Sequence, residues 1–282
     1  MSLTRRGLAA LASLSLLSTV MAPAWAGSPA DTSTDAALQA AIAGAQRTPA
    51  FTARDGARHP YETLRFFGIR PEMTVVELSP GGGWYTEILA PYLRDKGQLI
   101  LGADDPQSSN AYRQRSGQRM KDKLAATPAV YGKVQMNVFE VPARLQYAAP
   151  GSADLVLTFR NVHNWIEAGG EPAVSAVFRS AFDALKKGGS FGVVEHRRPA
   201  AQAQDEKASS GYVHEAYVIR IAEAVGFKLA ARSEINANPK DTADHENGVW
   251  ALPPTLANKD KDRERYTAIG ESDRMTLRFV KP

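Results

Sequence analysis

Residues 75–86 read Val-Val-Glu-Leu-Ser-Pro-Gly-Gly-Gly-Trp-Tyr-Thr. A β-branched apolar run ends on an acid, Glu77, and Gly81, Gly82 and Gly83 then precede a helical pattern. Glycine serves where the backbone needs a positive φ or where a ligand approaches the main chain without a Cβ in the way. A strand feeding such a turn into a helix start is the corner at which doubly wound sheets bind nucleotides. The helix start offers free N–H groups, and an acid at the strand end can hold ribose, an amino group or a cation. A dinucleotide fingerprint needs G-x-G-x-x-G/A, and counting from Gly81 and Gly83 its third position falls on Thr86, which disfavours a nicotinamide cofactor. A P-loop needs Gly-Lys-Ser/Thr, which is absent. The alternative is a Gly-rich turn with no ligand, and its surroundings must decide.

In doubly wound sheets ligands lie outside the carboxyl ends of the strands, so chemistry is expected from residues that directly follow them. Arg160, Asn161 and His163 follow the expected fourth strand, and Glu195 with His196 the fifth. His163 is the first candidate for a base or substrate-orienting group, because imidazole titrates near neutral pH. The alternative is a structural histidine bonded to a loop carbonyl. Glu195 and His196 could instead pair with neighbours such as Arg197. His214 shares helical phase with Val218, Ile221, Ala222 and Val225, so with Glu215 and Tyr217 it could line the pocket from the start of a helix. Trp84 and Tyr85 are expected to pack the first helix of the fold, although either could stack on an adenine. His163, His196, His214 and His245 match no ligand spacing, so no metal is expected.

The elements that would carry these groups alternate regularly. Strands are predicted at 73–78, 98–103, 133–141, 153–159, 190–195 and 227–235, with helices at 84–94, 108–126, 172–185 and 211–225. Strands separated by helical lengths imply right-handed crossovers and a largely parallel α/β sheet. A last strand, 274–280, has no helix before it, so it is expected to run antiparallel beside the sixth. The linker 236–273 far exceeds hairpin loops of roughly two to five residues. Its Gly248-Val249-Trp250-Ala251-Leu252-Pro253-Pro254 segment would not be left in water, so it is read as a lid over the ligand face or a flap sealing the core. Upstream, Leu38, Ala41, Ile42 and Ala45 recur at helical spacing, and His59-Pro60-Tyr61-Glu62 starts a helix that Gly68 ends.

The composition, 44% hydrophobic and 23% charged, is that of an ordinary globular chain. Arg5 and Arg6 precede an uncharged apolar run and the small-residue site Ala24-Trp25-Ala26, which reads as a cleavable signal peptide over residues 1–26, with a twin-arginine flavour. Export to the periplasm or beyond is therefore expected, with no membrane anchor in the mature chain. The absence of cysteine excludes thiolate metal sites and thiol catalysis. Formal charge is +4, of which Arg5 and Arg6 supply two, and so small a remainder gives no case for nucleic acid. Residues 27–58 are expected to form a helix and linker, and 59–282 the main domain.

From about His59 onward the chain resembles class I S-adenosylmethionine-dependent methyltransferases. The acid and glycine turn Glu77-Leu78-Ser79-Pro80-Gly81-Gly82-Gly83 carries the likeness, with Ser79 where the family has its first glycine. Gly151-Ser152-Ala153-Asp154-Leu155-Val156-Leu157 and Ala184-Leu185-Lys186-Lys187-Gly188-Gly189 match its fourth-strand and pre-fifth-strand motifs. Arg58-His59-Pro60, Pro80-Gly81-Gly82-Gly83-Trp84-Tyr85 and Arg160-Asn161-Val162-His163-Asn164-Trp165 are similar to a group of exported bacterial methyltransferases. The resemblance implies a Rossmann-like, mostly parallel sheet with an antiparallel C-terminal strand. It implies S-adenosylmethionine as cofactor and a small-molecule acceptor. Gly81 and Gly83, with Ser79 in the same turn, would admit the methionyl part, and Glu77 would contact its amino group or a nearby water. The acid expected at the end of the second strand to hold the ribose falls on Ala103, leaving Asp104 or Asp105 for that role. His163, Asn161 and His214 would serve the acceptor. Export from the compartment where the cofactor is made raises a second possibility, a binding protein or different enzyme on the same scaffold.

Overall fold

The computed structural model describes residues 32–282. The predicted signal peptide lies outside them.

Seven strands form one sheet: β1 Thr74–Leu78, β2 Gln98–Ala103, β3 Gln135–Val138, β4 Ala153–Phe159, β5 Leu185–His196, β6 Lys228–Ser233 and β7 Arg274–Val280, in the order β3-β2-β1-β4-β5-β7-β6. The first five run parallel, and β7 inserts antiparallel between β5 and β6. β1, β2 and β4 are buried along nearly their whole lengths, as strands covered on both faces must be, while the edge strands β3 and β6 alternate between half-buried and exposed. The strand order reverses between β1 and β4, so their carboxyl ends open a crevice at the switch point.

Among the described residues ten α-helices accompany the sheet. α1 Thr32–Ala43, α2 Pro49–Thr52, α3 Asp55–Arg58 and α4 Pro60–Phe66 precede it; α5 Thr86–Leu93 follows β1, and α6 Ala111–Ala126 with α7 Pro128–Tyr131 follows β2. α8 Val162–Ala184, α9 Glu215–Val225 and α10 Arg263–Ile269 complete the set, with a 3₁₀ turn at Gly248–Ala251. Strand alternation divides the core. Val76, Leu78, Val156 and Phe191 pack with Val177, Phe178 and Ile221 of α8 and α9. Val75, Leu101 and Leu157 pack with Leu38, Leu64, Ile88 and Leu89 of α1, α4 and α5. Each such buried side chain contributes about 1.5–3 kcal/mol.

Thr32–Pro282 is one compact unit, so residues 32–58 belong with the sheet. Glu87 of α5, itself buried, fastens them: it accepts from Thr48 N at 2.8 Å and Thr48 Oγ1 at 2.6 Å, and pairs with Lys123 of α6. Several elements differ from expectation, among them β5, which begins at Leu185 rather than at residue 190, and α9, which begins at Glu215 rather than at residue 211. α8 begins ten residues before the predicted start, because Gly169 and Gly170 bend a helix there (φ 177° and 65°) rather than preceding it. β3 is shorter than predicted, as an edge strand paired on one side only. The linker 236–273 holds a helix that was not expected, α10. Among the described residues no helix is long and apolar enough to cross a membrane.

Candidate functional site

Two cavities open at the carboxyl ends of the strands, and the residues after β4 serve both. Asn161, Asn164 and Trp165 line the first; Arg160 and His163 line the second. Asn161 also ties β4 to β1, donating from Nδ2 to Leu78 O at 3.2 Å and Ser79 O at 3.3 Å.

The first cavity, of about 260 Å³, lies over the glycine turn. Gly81 borders it with φ 57°, and a Cβ built there would meet nothing within 4 Å, so the backbone itself faces open space. Gly83 also has a positive φ, 84°, but lies away from the cavity, where a Cβ would crowd Lys123 and Met120 at 3.1 and 3.3 Å. Ser79 lines the cavity in the left-handed region itself (φ 50°), the conformation a glycine would take more easily.

The two aspartates after β2 separate cleanly. Asp104 lines the cavity, its carboxyl held above the usual range by burial against the opposing hydrogen bond from Ser116. Asp105 turns away, accepting from Gln107 N at 2.8 Å and pairing with Arg144, which together hold its carboxyl low. Glu140, after β3, was not anticipated. It lines the same cavity, and its buried Oε1 has no hydrogen-bond partner among the described residues.

Glu77 does not take its expected place. It is fully buried behind the turn, accepts from Thr86 Oγ1 at 2.7 Å and does not line the cavity. Burial pushes its carboxyl up to about 8, against the lowering effects of Thr86 and Arg160, so it joins strand end to helix start as a largely neutral acid. Neither neighbouring aromatic lines the first cavity: Tyr85 stacks on Phe159 at 3.5 Å between ring centroids, and Trp84 lies under Arg47 and Arg58, each 4.9 Å from its ring.

The second cavity, of about 230 Å³, is roofed by the 236–273 segment. Val249, Trp250, Pro253 and Pro254 form the apolar side, while Arg54, Arg160, His163, His196 and Glu271 form the polar side. The segment is thus a cover over a cavity, and it is also anchored. Buried Asp241 accepts from Tyr212 Oη at 2.9 Å and Asp273 N at 2.8 Å, and pairs with His245 Nε2 at 2.8 Å. Burial and Asp241 push the Tyr212 hydroxyl far up, so it stays a donor.

Glu195, at the end of β5, is the organising carboxylate. Its Oε2 accepts from Val162 N at 2.5 Å, and its Oε1 from His196 N at 2.8 Å and from His163 Nδ1 at 3.0 Å. A carboxylate partner fixes Nδ1 as the protonated nitrogen, leaving Nε2 of His163 with a free lone pair and no partner among the described residues. His163 is therefore an oriented imidazole rather than one bonded to a loop carbonyl. His163, Glu195 and His196 offer ligand atoms within 4.8 Å of one another. The surrounding arginines oppose a cation there, and His196 Nδ1 is engaged with Ser272 Oγ at 2.6 Å.

His214 falls elsewhere. It caps α9 half-buried and lines a separate surface cavity with Glu215, Arg197 and Ile219, apart from both sites. The helix starts one residue later than the phase argument requires, so His214 is not on its buried face.

No protein-family model matches the chain, and no curated protein is similar to it. Solved structures are similar in fold. A SAM-dependent methyltransferase from Aquifex aeolicus is 12% identical, with a TM-score of 0.52 over 88% of this chain and 98% of that one. The [4+2]-cyclase SpnF is 13% identical, with a TM-score of 0.55 over 89% and 94%. The geranyl diphosphate C-methyltransferase of Streptomyces coelicolor A3(2), solved with Mg²⁺, geranyl diphosphate and S-adenosyl-L-homocysteine, is 13% identical, with a TM-score of 0.53 over 86% and 88%. The sheet is that of the Rossmann-like methyltransferase fold, as expected from the sequence.

Proposed function

We propose that the protein is an S-adenosylmethionine-dependent methyltransferase acting on a small molecule held beneath the 236–273 cover, and that the mature protein works outside the cytoplasm. The observation that carries this is the set of acceptors and open backbone lining the first cavity. Glu140 Oε1, buried without a partner, suits the amino group of an adenine; Asp104 suits a pair of ribose hydroxyls; the bare backbone at Gly81 suits close approach. An unpaired buried carboxylate oxygen is costly, and a ligand N–H would satisfy it. Bound there, the cofactor supplies an electrophilic methyl group for in-line displacement.

The chain's own residues then act mainly by positioning. Asn161 locks the ends of β1 and β4 in register, fixing one cavity relative to the other. His163, oriented by Glu195, offers Nε2 to take a proton from an acceptor hydroxyl or amine, the only acceptors that need a base. The cover excludes water from that proton's path.

A second reading has its own support. Ser79 and Ala103 depart from the family pattern, and SpnF is named a cyclase although it shares the fold, so the scaffold does not fix the reaction. Calorimetry with S-adenosylmethionine on Asp104→Asn and Asp105→Asn separates site from scaffold. Methyl transfer from this cavity expects about tenfold weaker binding in the first variant, from loss of a charged hydrogen-bond acceptor, and no change in the second. Equal affinities in both variants overturn the assignment.

A further inference from the structure

The second cavity carries more positive charge than its surroundings neutralise. Arg54 follows α2, Arg58 ends α3, and Arg274 begins β7; all three share the carboxylate of Glu271, at 2.6 Å from Arg54 Nε, 3.2 Å from Arg58 Nε and 3.1 Å from Arg274 Nη1. Arg160, which follows β4 and lines the cavity, makes no side-chain hydrogen bond or ion pair among the described residues. Counting Glu195 as well, four guanidiniums face two carboxylates; Glu77, which also feels Arg160, is largely neutral, and Asp273, which also feels Arg274, is paired with Arg197. His196 adds no charge, because burial above all holds its imidazole well below its usual range. Arg58 and Arg160 are likewise held below the usual range, burial first and a neighbouring arginine next.

The backbone sustains this arrangement. Arg160 sits in the left-handed region (φ 61°), anchored by its N–H to Val194 O at 2.7 Å, a conformation unfavourable for a non-glycine residue. A half-buried guanidinium with no ion-pair partner is likewise unfavourable unless a counter-ion arrives. The cavity is smaller than the roughly 300–1,000 Å³ of drug-sized ligand sites, and Trp250, Pro253 and Pro254 close its other side with apolar surface.

We propose that this cavity binds an oxyanion, the carboxylate or phosphate group of a small acceptor, with Arg160 and Arg54 as its partners and His163 beside it. The word acceptor rests on the methyltransferase reading; the oxyanion site does not. Trp250, at 6.0 Å from the His163 ring, is a local reporter. Titrate the purified protein with inorganic phosphate and, separately, with acetate, at ionic strength balanced by sodium chloride, following tryptophan fluorescence and Tm. A saturable change in either arm at millimolar concentration, abolished in fluorescence by Trp250→Phe, supports the site and identifies the preferred oxyanion. Arg160→Gln should weaken binding roughly tenfold or more, the loss of a charge-assisted hydrogen bond. Should Arg160→Gln fail to fold, Arg54→Gln, at the cavity's more exposed rim, should show the same direction. No saturable response to either anion, or unchanged binding in a folded arginine variant, overturns the proposal. S-adenosylmethionine calorimetry on the same preparations keeps the two ideas apart. Cofactor binding without anion binding sinks the oxyanion site alone, and anion binding without cofactor binding upholds it while sinking methyl transfer.

Discussion

Glu195 holds His163 by its Nδ1 nitrogen at 3.0 Å while accepting from the backbone N–H groups of Val162 and His196, so one buried carboxylate sets both the tautomer and the angle of the imidazole. β5 supplies the acid, and the first turn of α8, directly after β4, supplies the histidine, at the carboxyl ends of two adjacent strands. Such an acid-oriented imidazole is the group to which the proposed mechanism gives the role of general base.

For acceptors that lose a proton, His163→Gln is expected to lower turnover by about 10²–10⁴-fold, with cofactor affinity unchanged. Glu195→Gln is expected to lower kcat with little change in KM, since it disturbs orientation rather than contact. Release of S-adenosylhomocysteine across a panel of small carboxylate- and phosphate-bearing acceptors checks both. Full activity in His163→Gln would remove the base from the mechanism.

Ser79 occupies a left-handed position that glycine fills without steric cost. Ser79→Gly is expected to stabilise the fold by about 1 kcal/mol, partly offset by a more flexible unfolded chain. For a chain of this size that corresponds to a Tm rise of about 2–4 °C. Thermal melts without cofactor check it, and a fall in Tm would show that the serine side chain contributes more than its backbone costs.

Glu77 makes stability depend on pH in a definite direction. Its carboxyl is pushed up to about 8 in the fold, against about 4.3 when unfolded, so between those values the native state binds the extra proton. That contribution is complete at low pH and is lost as pH rises through 8. Glu77→Gln keeps an acceptor for Thr86 without the ionisation, so its advantage over the native chain should grow from pH 5 to pH 9. Melting curves that shift in parallel across that range would contradict the burial argument.

Much of the frame was legible in the residues. The strands at 98–103, 153–159 and 274–280 fall where the sequence predicts, because sustained apolar patterning bounded by turns leaves little choice of register. The glycine turn marked the first cavity for the same local reason. The second cavity was only half visible. His163 could be picked out after its strand, but Arg58 and Glu271 lie 213 residues apart, and Arg54 sat in what reads as a polar linker. Only the insertion of β7 beside β5, with the N-terminal helices packed against the sheet, brings these groups together. Asp104 gave a weaker signal, as an acid directly after β2, whereas Glu140 fell inside the strand predicted at 133–141 and is placed after a strand only because β3 ends at Val138. Helical phase misplaced His214, since α9 begins only at Glu215 and leaves His214 as its N-cap beside a separate cavity.

The most direct measurement is calorimetric titration of the purified protein with S-adenosylmethionine, beside a Gly81→Val variant whose fold is checked by circular dichroism. Methyl transfer from the glycine-turn cavity requires saturable binding by the native protein in the micromolar range and its loss in the folded variant, where two methyl groups enter space that is open above Gly81. No binding by the native protein up to millimolar cofactor, or equal binding by the variant, would contradict it.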